Sequence, residues 1–197
     1  MEDGMTNKSI RPVKIRTPQS IPCPVTSGLF VLEPLGERHA ELDFAALMSC
    51  RDRLRNELQW GEWPSDDFTL EENRTDLCRH QSEFENGVAF AYSVRDPGRA
   101  RVLGCIYIES CEIEADVQLA FWVIDDAIAI EIALVSTVLR WLHDEWNINR
   151  VAIPLRDANA RGLKLAISLG CRSLDRQKAG KLSGFRCFLW EYFRETT

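Results

Sequence analysis

The sequence predicts a single α/β domain with α+β character: a mixed, mostly antiparallel sheet of six or seven strands, with helices on both faces. Three observations carry that reading. Short apolar runs of strand length alternate with helical periods in the order β-α-α-β-β-β-α-β-α-β-β. A long helix joins the run at 116–123 to the run at 150–155, which requires a parallel crossover. The runs at 89–94 and 101–109 are joined by Asp96-Pro97-Gly98, a tight turn that makes them an antiparallel hairpin.

The bulk properties bound the rest. A chain of 197 residues is long enough for one domain with a real core. The longest apolar stretch, Ala127 to Leu139, is interrupted by Glu131, Ser136 and Thr137, so no segment reaches the roughly 20 apolar residues that span a bilayer. Met1 to Asn7 carries acidic residues with no apolar run behind it; no signal peptide is read, and a cytoplasmic protein is expected. A net charge of −6 speaks against a nucleic-acid partner, which needs a basic face. The seven cysteines are irregularly spaced without a C-x-x-C, so they are read as reduced core residues and no metal site is expected. Oligomeric state is not fixed by the sequence; a homodimer is compatible with it.

Each element has its own signal. Residues 1–26, with Pro12, Pro18, Pro22 and Pro24, show no period and are read as an extended or disordered arm; the domain occupies 27–197. Leu29 to Leu35 alternates as a first strand ended by Pro34. Arg38 to Cys50 has helical spacing, and an aromatic loop with Trp60, Trp63 and Phe68 follows. Thr69 and Glu72 form a capping box that starts a second helix, and Gly87 ends it. Beyond the hairpin, 116–123 is a strand. Asp125 and Asp126 are expected to cap the long helix that runs to Trp146 and is apolar around most of its circumference. A strand at 150–155, a helix opening at Asp157 or Asn159 and closing before Gly170, and strands near 172–176 and 185–192 complete the chain. His39, His80 and His143 have no partner spacing, and His80 and His143 are read as surface residues.

Over residues 27–194 the sequence resembles the GNAT superfamily of acyl-CoA N-acyltransferases, most closely the branch that includes ribosomal-protein N-terminal acetyltransferases. "LEPLGERHAELDF" is similar to that branch's opening strand and helix, and "VLGCIYIE" with "DVQLAFWV" to its central strands. "NARGLKLAISLGC" is similar to its late motif, with Asn159, Gly162 and Gly170 in register. The resemblance implies acetyl-CoA as co-substrate and a small-molecule or peptide amine as acceptor. It also implies a strand that splays from its neighbour to hold pantetheine on the backbone of Phe121, Trp122 and Val123. Pyrophosphate would lie on the free amides of Ala127, Ile128, Ala129 and Ile130 at the helix start, where the helix dipole favours anions. Asn159, Arg161 and Gly162 are implied as further cofactor contacts, and Trp60 and Trp63 as walls of the acceptor site.

Two departures stand out. The family's glycine-rich, basic loop is replaced by Asp125 to Glu131, with no glycine, no basic residue and three carboxylates. Ala166 stands where members with a tyrosine general acid place it. For the chemistry, an amine needs a base near the start of strand 116–123; Glu112, Glu114 and Asp116 are the candidates, with Glu109 at the end of the preceding strand. Tyr107 and Ser136 are candidates for the thiol-side proton. The glycine-free acidic loop leaves an alternative: a catalytically impaired domain of the same fold that acts as a binding or regulatory module.

Overall fold

The computed structural model describes residues 15, 25–111, 113, 115–174 and 184–192. Its seven strands are β1 (Val31–Pro34), β2 (Phe90–Arg95), β3 (Val102–Ser110), β4 (Val117–Val123), β5 (Arg150–Leu155), β6 (Arg172–Ser173) and β7 (Arg186–Glu191). They form one sheet in the order β1-β2-β3-β4-β5-β7-β6. Only β4 and β5 are parallel; the other neighbours are antiparallel. The helices are α1 (Ala40–Ser49), α2 (Arg51–Leu58), α3 (Leu70–Glu85), α4 (Glu131–Trp146) and α5 (Ala160–Ser168). The predicted mixed sheet, hairpin and parallel crossover are all present. No helix among the described residues is long and apolar enough to cross a membrane.

Strand alternation decides what each face buries. Phe90 and Tyr92 on β2 share a face with their β3 partners Ile108 and Ile106. There α4 packs Trp146 edge-on against Phe90 at 4.9 Å and Trp141 against Tyr92 at 5.5 Å. The opposite face carries Cys105, Tyr107 and Trp122. It is covered by α1, through an Asp43–Cys105 contact at 3.2 Å, and by α3, through His80 against Tyr107. One continuous apolar core joins the layers and includes Ile15. The expected N-terminal arm otherwise falls outside the described residues, apart from Val25 and Thr26, where Thr26 bridges to Val31.

Side-chain caps start α3 and α5, whereas α1, α2 and α4 begin without one. Thr69 Oγ1 accepts the Glu72 amide at 3.2 Å and the Glu72 carboxylate accepts the Thr69 amide at 2.8 Å, the capping box read from the sequence. Asn159 caps α5: its Oδ1 accepts the Gly162 amide at 2.7 Å. Helix α4 departs from the expected start. Asp125 and Asp126 are not its caps; a 3-10 turn over Asp125–Ile130 leads into it, and Ile124 at the turn's start makes no side-chain cap. Such a turn satisfies the first amides from carbonyls three residues back, so no capping side chain is needed. The Ala127 amide binds the Ile124 carbonyl at 3.0 Å, and that of Glu131 binds Ile128.

One element goes beyond the expected order. Helix α2 follows α1 after a single residue and buries only Leu54 and Leu58, one turn apart. Two apolar residues at i and i+4 suffice to dock a short helix whose other positions are charged or polar. Among those charged positions are Arg53 and Glu57, which reach the site described next.

Candidate active site between strands β4 and β5

The parallel pair is joined over only two residues. Val117 pairs with Val151 and Gln118 with Ala152; from Leu119 onward β4 has no ladder partner on that edge. Asp116 sets the vertex, since its Oδ2 accepts the amides of Asn149 at 3.0 Å and Arg150 at 2.9 Å. Along its other edge β4 stays paired with β3 as far as Val123. The approach there is so close that a Cβ on Gly104 would lie 2.0 Å from the Trp122 carbonyl oxygen, so only glycine fits. The result is the V-shaped gap that the family resemblance implies.

The three carboxylates expected as candidate bases are placed as follows. Asp116 holds two backbone amides and lies outside the cavity lining, so it acts on strand geometry. Glu112 and Glu114 lie outside the described residues.

A narrow cleft runs into the gap between Ala120 and Phe121 on β4, Leu155 on β5, Asn159 and Glu57. Arg156 draws its walls together. The guanidinium donates to the Gly184 carbonyl at 2.9 Å and the Gln59 carbonyl at 3.2 Å, and stacks 3.6 Å over the Phe185 ring. The cleft shares Trp60, Ala120, Pro154 and Phe185 with a wider cavity of about 370 Å³. That cavity is walled by Trp60, Trp63, Tyr107 and Phe185, and Asp76, Arg79, His80, Glu109 and Gln118 bring polar groups to it. Trp60 packs at a tilt against Trp63 at 5.5 Å and meets Tyr107 edge-on at 5.7 Å. Both tryptophans wall the cavity.

His80 is the residue that sequence reading misplaced. It is 7% exposed, with Nδ1 3.3 Å from a Glu83 oxygen, Nε2 3.1 Å from Arg79 Nη2 and 3.6 Å from Asp76 Oδ2. Burial alone would raise the Asp76 carboxyl, yet the neighbouring Arg79 and His80 side chains hold it below the ordinary carboxylate range. The Tyr107 hydroxyl accepts from Trp122 Nε1 at 3.1 Å. Burial pushes its pKa well up, helped by Cys105 and Asp43 behind it, so it stands as a neutral hydrogen-bond group at physiological pH. Glu109 accepts from Gln118 Nε2 at 2.6 Å.

At the other end of the cleft, charges from four elements form a clasp. Glu57 Oε2 is 2.8 Å from Arg53 Nη1 and 3.0 Å from Arg161 Nη2. Arg53 also holds Asp125 at 2.5 Å and the Val123 carbonyl, while Arg161 Nε lies 2.8 Å from Glu131. Glu131 is 3% exposed; burial raises its pKa, and Arg161 opposes that only in part. Asp126 faces outward to Arg101 at 3.2 Å.

The implied cofactor contacts divide accordingly. Phe121 lines the cleft, the Trp122 indole turns to Tyr107, and the Val123 carbonyl is taken by Arg53. The amides expected to be free over Ala127, Ile128, Ala129 and Ile130 lie within the 3-10 turn, and that of Ala127 is already engaged. Arg161 does reach the site. Asn159 Oδ1 is committed to its cap, and a Cβ on Gly162 would fall 2.8 Å from that side chain, which accounts for the glycine without any ligand. Arg53 was not anticipated; its spacing to Glu57 was the available signal.

No family profile and no curated relative matches the chain. Solved structures do. The ribosomal-protein-S5-alanine acetyltransferase of Vibrio fischeri superposes with a TM-score of 0.68 at 14% identity, covering 86% of this chain and 97% of its own. The ribosomal α-N-protein acetyltransferase RimL, in complex with coenzyme A, gives 0.67 at 15% identity over 85% and 96%. The microcin C7 self-immunity acetyltransferase MccE, in complex with acetyl-CoA and AMP, gives 0.69 at 13% over 84% and 94%. Together with the splayed parallel pair, these matches establish that this chain has the GNAT acetyltransferase fold.

Proposed function

We propose that the protein transfers an acetyl group from acetyl-CoA to a primary amine by direct attack. The observation that carries this reading is the meeting, at Ala120, of two spaces: the narrow cleft along the unpaired edge of β4 and a cavity bearing acid–base side chains. The structural neighbours include acetyltransferases crystallised with coenzyme A or acetyl-CoA and one that modifies a ribosomal-protein alanine.

The residues present fit the co-substrate in an altered way. The β4 edge beyond Gln118 offers backbone groups to pantetheine, as the resemblance implies. The glycine-rich cradle is missing, so Arg53 and Arg161 are the groups that would take the pyrophosphate, guanidinium being well suited to phosphate. Glu57, Glu131 and Asp125 hold both arginines until then. The acetylated group carries no charge of its own, so the cleft near Ala120 and Phe121 can be apolar. Tyr107 is the hydroxyl available on the cavity side for the departing thiol.

Full-length protein incubated with acetyl-CoA and a panel of amines should release free thiol, measured colorimetrically, and millimolar acetyl-CoA should raise its melting temperature. A clean melt with no shift and no thiol release would discard the reading. The acidic clasp favours the second reading, an impaired module of the same fold, and that result would leave it standing.

A further inference from the structure

We propose that the acceptor enters the cavity as a small cation, a protonated amine on an aromatic or aliphatic body, and that His80 takes its proton. This deepens the acetyl-transfer reading and rests on it.

Helix α3 already holds a cation in the required place. Arg79 Nη2 lies 2.6 Å from Asp76 Oδ1 and 3.1 Å from His80 Nε2, at the rim of the cavity. Its side chain is half exposed and is also held by Glu83, so it can swing outward without losing every partner. The guanidinium thus stands in for an ammonium group: Asp76 supplies the negative charge and His80 Nε2 the lone pair. Around that point the walls are aromatic, with Trp60, Trp63, Tyr107 and Phe185. Aromatic faces attract a cation and also accept an apolar body. A cavity of about 370 Å³ falls in the range that encloses a small organic ligand.

The imidazole is oriented by its neighbours. Glu83, 3.3 Å from Nδ1, is placed to accept an Nδ1 proton, while Arg79 donates toward Nε2. That leaves Nε2 as the acceptor, the same division of roles that orients other imidazole bases. The charged and titratable groups facing His80 are Asp76, Arg79 and Glu83 on its own helix and Tyr107 from β3 across the ring. Glu109 lines the same cavity, and Asp43 and Cys105 lie behind Tyr107.

The step balances as follows. The ammonium gives one proton to His80 Nε2 and becomes a neutral amine. Its lone pair forms the C–N bond at the thioester carbonyl of acetyl-CoA. The C–S bond breaks with its electron pair on sulfur, and the second nitrogen proton reaches that sulfur by way of the Tyr107 hydroxyl. His80 then returns its proton to water. The products are an amide, coenzyme A thiol and one proton.

The test uses the full chain with 2-phenylethylamine and its neutral counterpart 2-phenylethanol, titrated calorimetrically without acetyl-CoA. The amine should bind at least tenfold more tightly, and Asp76→Asn should remove that preference. His80→Gln should weaken amine binding less than Asp76→Asn does, lower kcat by about 100-fold or more, and erase the acidic limb of the kcat–pH profile. Glu83→Gln should lower kcat less and leave KM for the amine in place, as expected of a positioning residue. Melting temperature and acetyl-CoA affinity verify that each variant folds. Equal binding of amine and alcohol, or absence of binding by either, would overturn the cation site. A His80→Gln enzyme that keeps its rate and acidic limb would overturn the base. If native protein binds the amine but transfers nothing to it from acetyl-CoA, the transfer reading falls while the cation site stands.

Discussion

Replacing Glu57 by Gln should tighten acetyl-CoA binding, although it removes two ion pairs. Glu57 is held by Arg53 at 2.8 Å and Arg161 at 3.0 Å, with side-chain exposures of 13%, 20% and 27%. If pyrophosphate takes these guanidiniums, the native protein must first give up two charge-assisted contacts. With Gln the guanidiniums still donate to an oxygen, but the carboxylate charge is gone. At these partly exposed positions the contacts surrendered are weaker by about 0.5 kcal/mol each, about 1 kcal/mol for the two, or about fivefold in Kd. Neither arginine is stranded, since Arg53 keeps Asp125 and Arg161 keeps Glu131. Isothermal titration of both proteins with acetyl-CoA, at low and at physiological salt, measures the difference. It should shrink as salt screens the phosphates. Equal or weaker binding by Glu57→Gln, in a protein that melts normally, would refute the assignment of Arg53 and Arg161 to pyrophosphate.

Three further outcomes are expected. Tyr107→Phe leaves the buried Trp122 Nε1 without its 3.1 Å partner, so stability should fall by about 1–3 kcal/mol in chemical denaturation, and transfer should slow with KM for the amine little changed. Asp43 is buried against Cys105 and Asn73, and burial raises its pKa above the ordinary range. The folded state therefore prefers it protonated. Its contribution is greatest below the unfolded carboxylate value and is lost as pH rises through the folded one. Asp43→Asn, whose amide can face Cys105 while its oxygen faces Asn73, should melt higher than the native protein at about pH 7–8, with the advantage vanishing toward about pH 4; a lower melting point at neutral pH would contradict this. Asp116→Ala frees the amides of Asn149 and Arg150, so acetyl-CoA affinity should drop while the acidic limb of the kcat–pH profile stays where it was, measured side by side.

The sheet was legible because strand alternation, the Asp96-Pro97-Gly98 turn and the capping box at Thr69 are local signals. Asn159 likewise caps α5 by a bond to a residue three positions away. What stayed hidden is tertiary. Helix α2 buries only Leu54 and Leu58 among eight residues, too little periodicity to distinguish it from a charged loop. His80 looked like a surface residue on a polar helix; it is buried because Tyr107, from a strand 27 positions on in sequence, closes over it at 5.3 Å. The α4 start was misread because Asp is a strong capping residue, yet Arg53 and Arg101 drew both aspartates away from the helix axis. Sequence neighbourhood points to carboxylates near the start of β4, and it cannot show that Asp76 on α3 and Glu109 on β3 meet in one cavity.

Asp116 has a consequence for how mutational scans of this protein behave. It rivets one end of a pair of levers that part beyond Gln118 and Ala152 and run on to Val123 and Leu155. A small rotation at the rivet becomes a large displacement at the tips, so loss of this side chain would lower turnover as sharply as loss of a proton carrier. Ranked by activity alone, Asp116 and His80 would look alike; ranked by how their effects vary with acidity, they would separate.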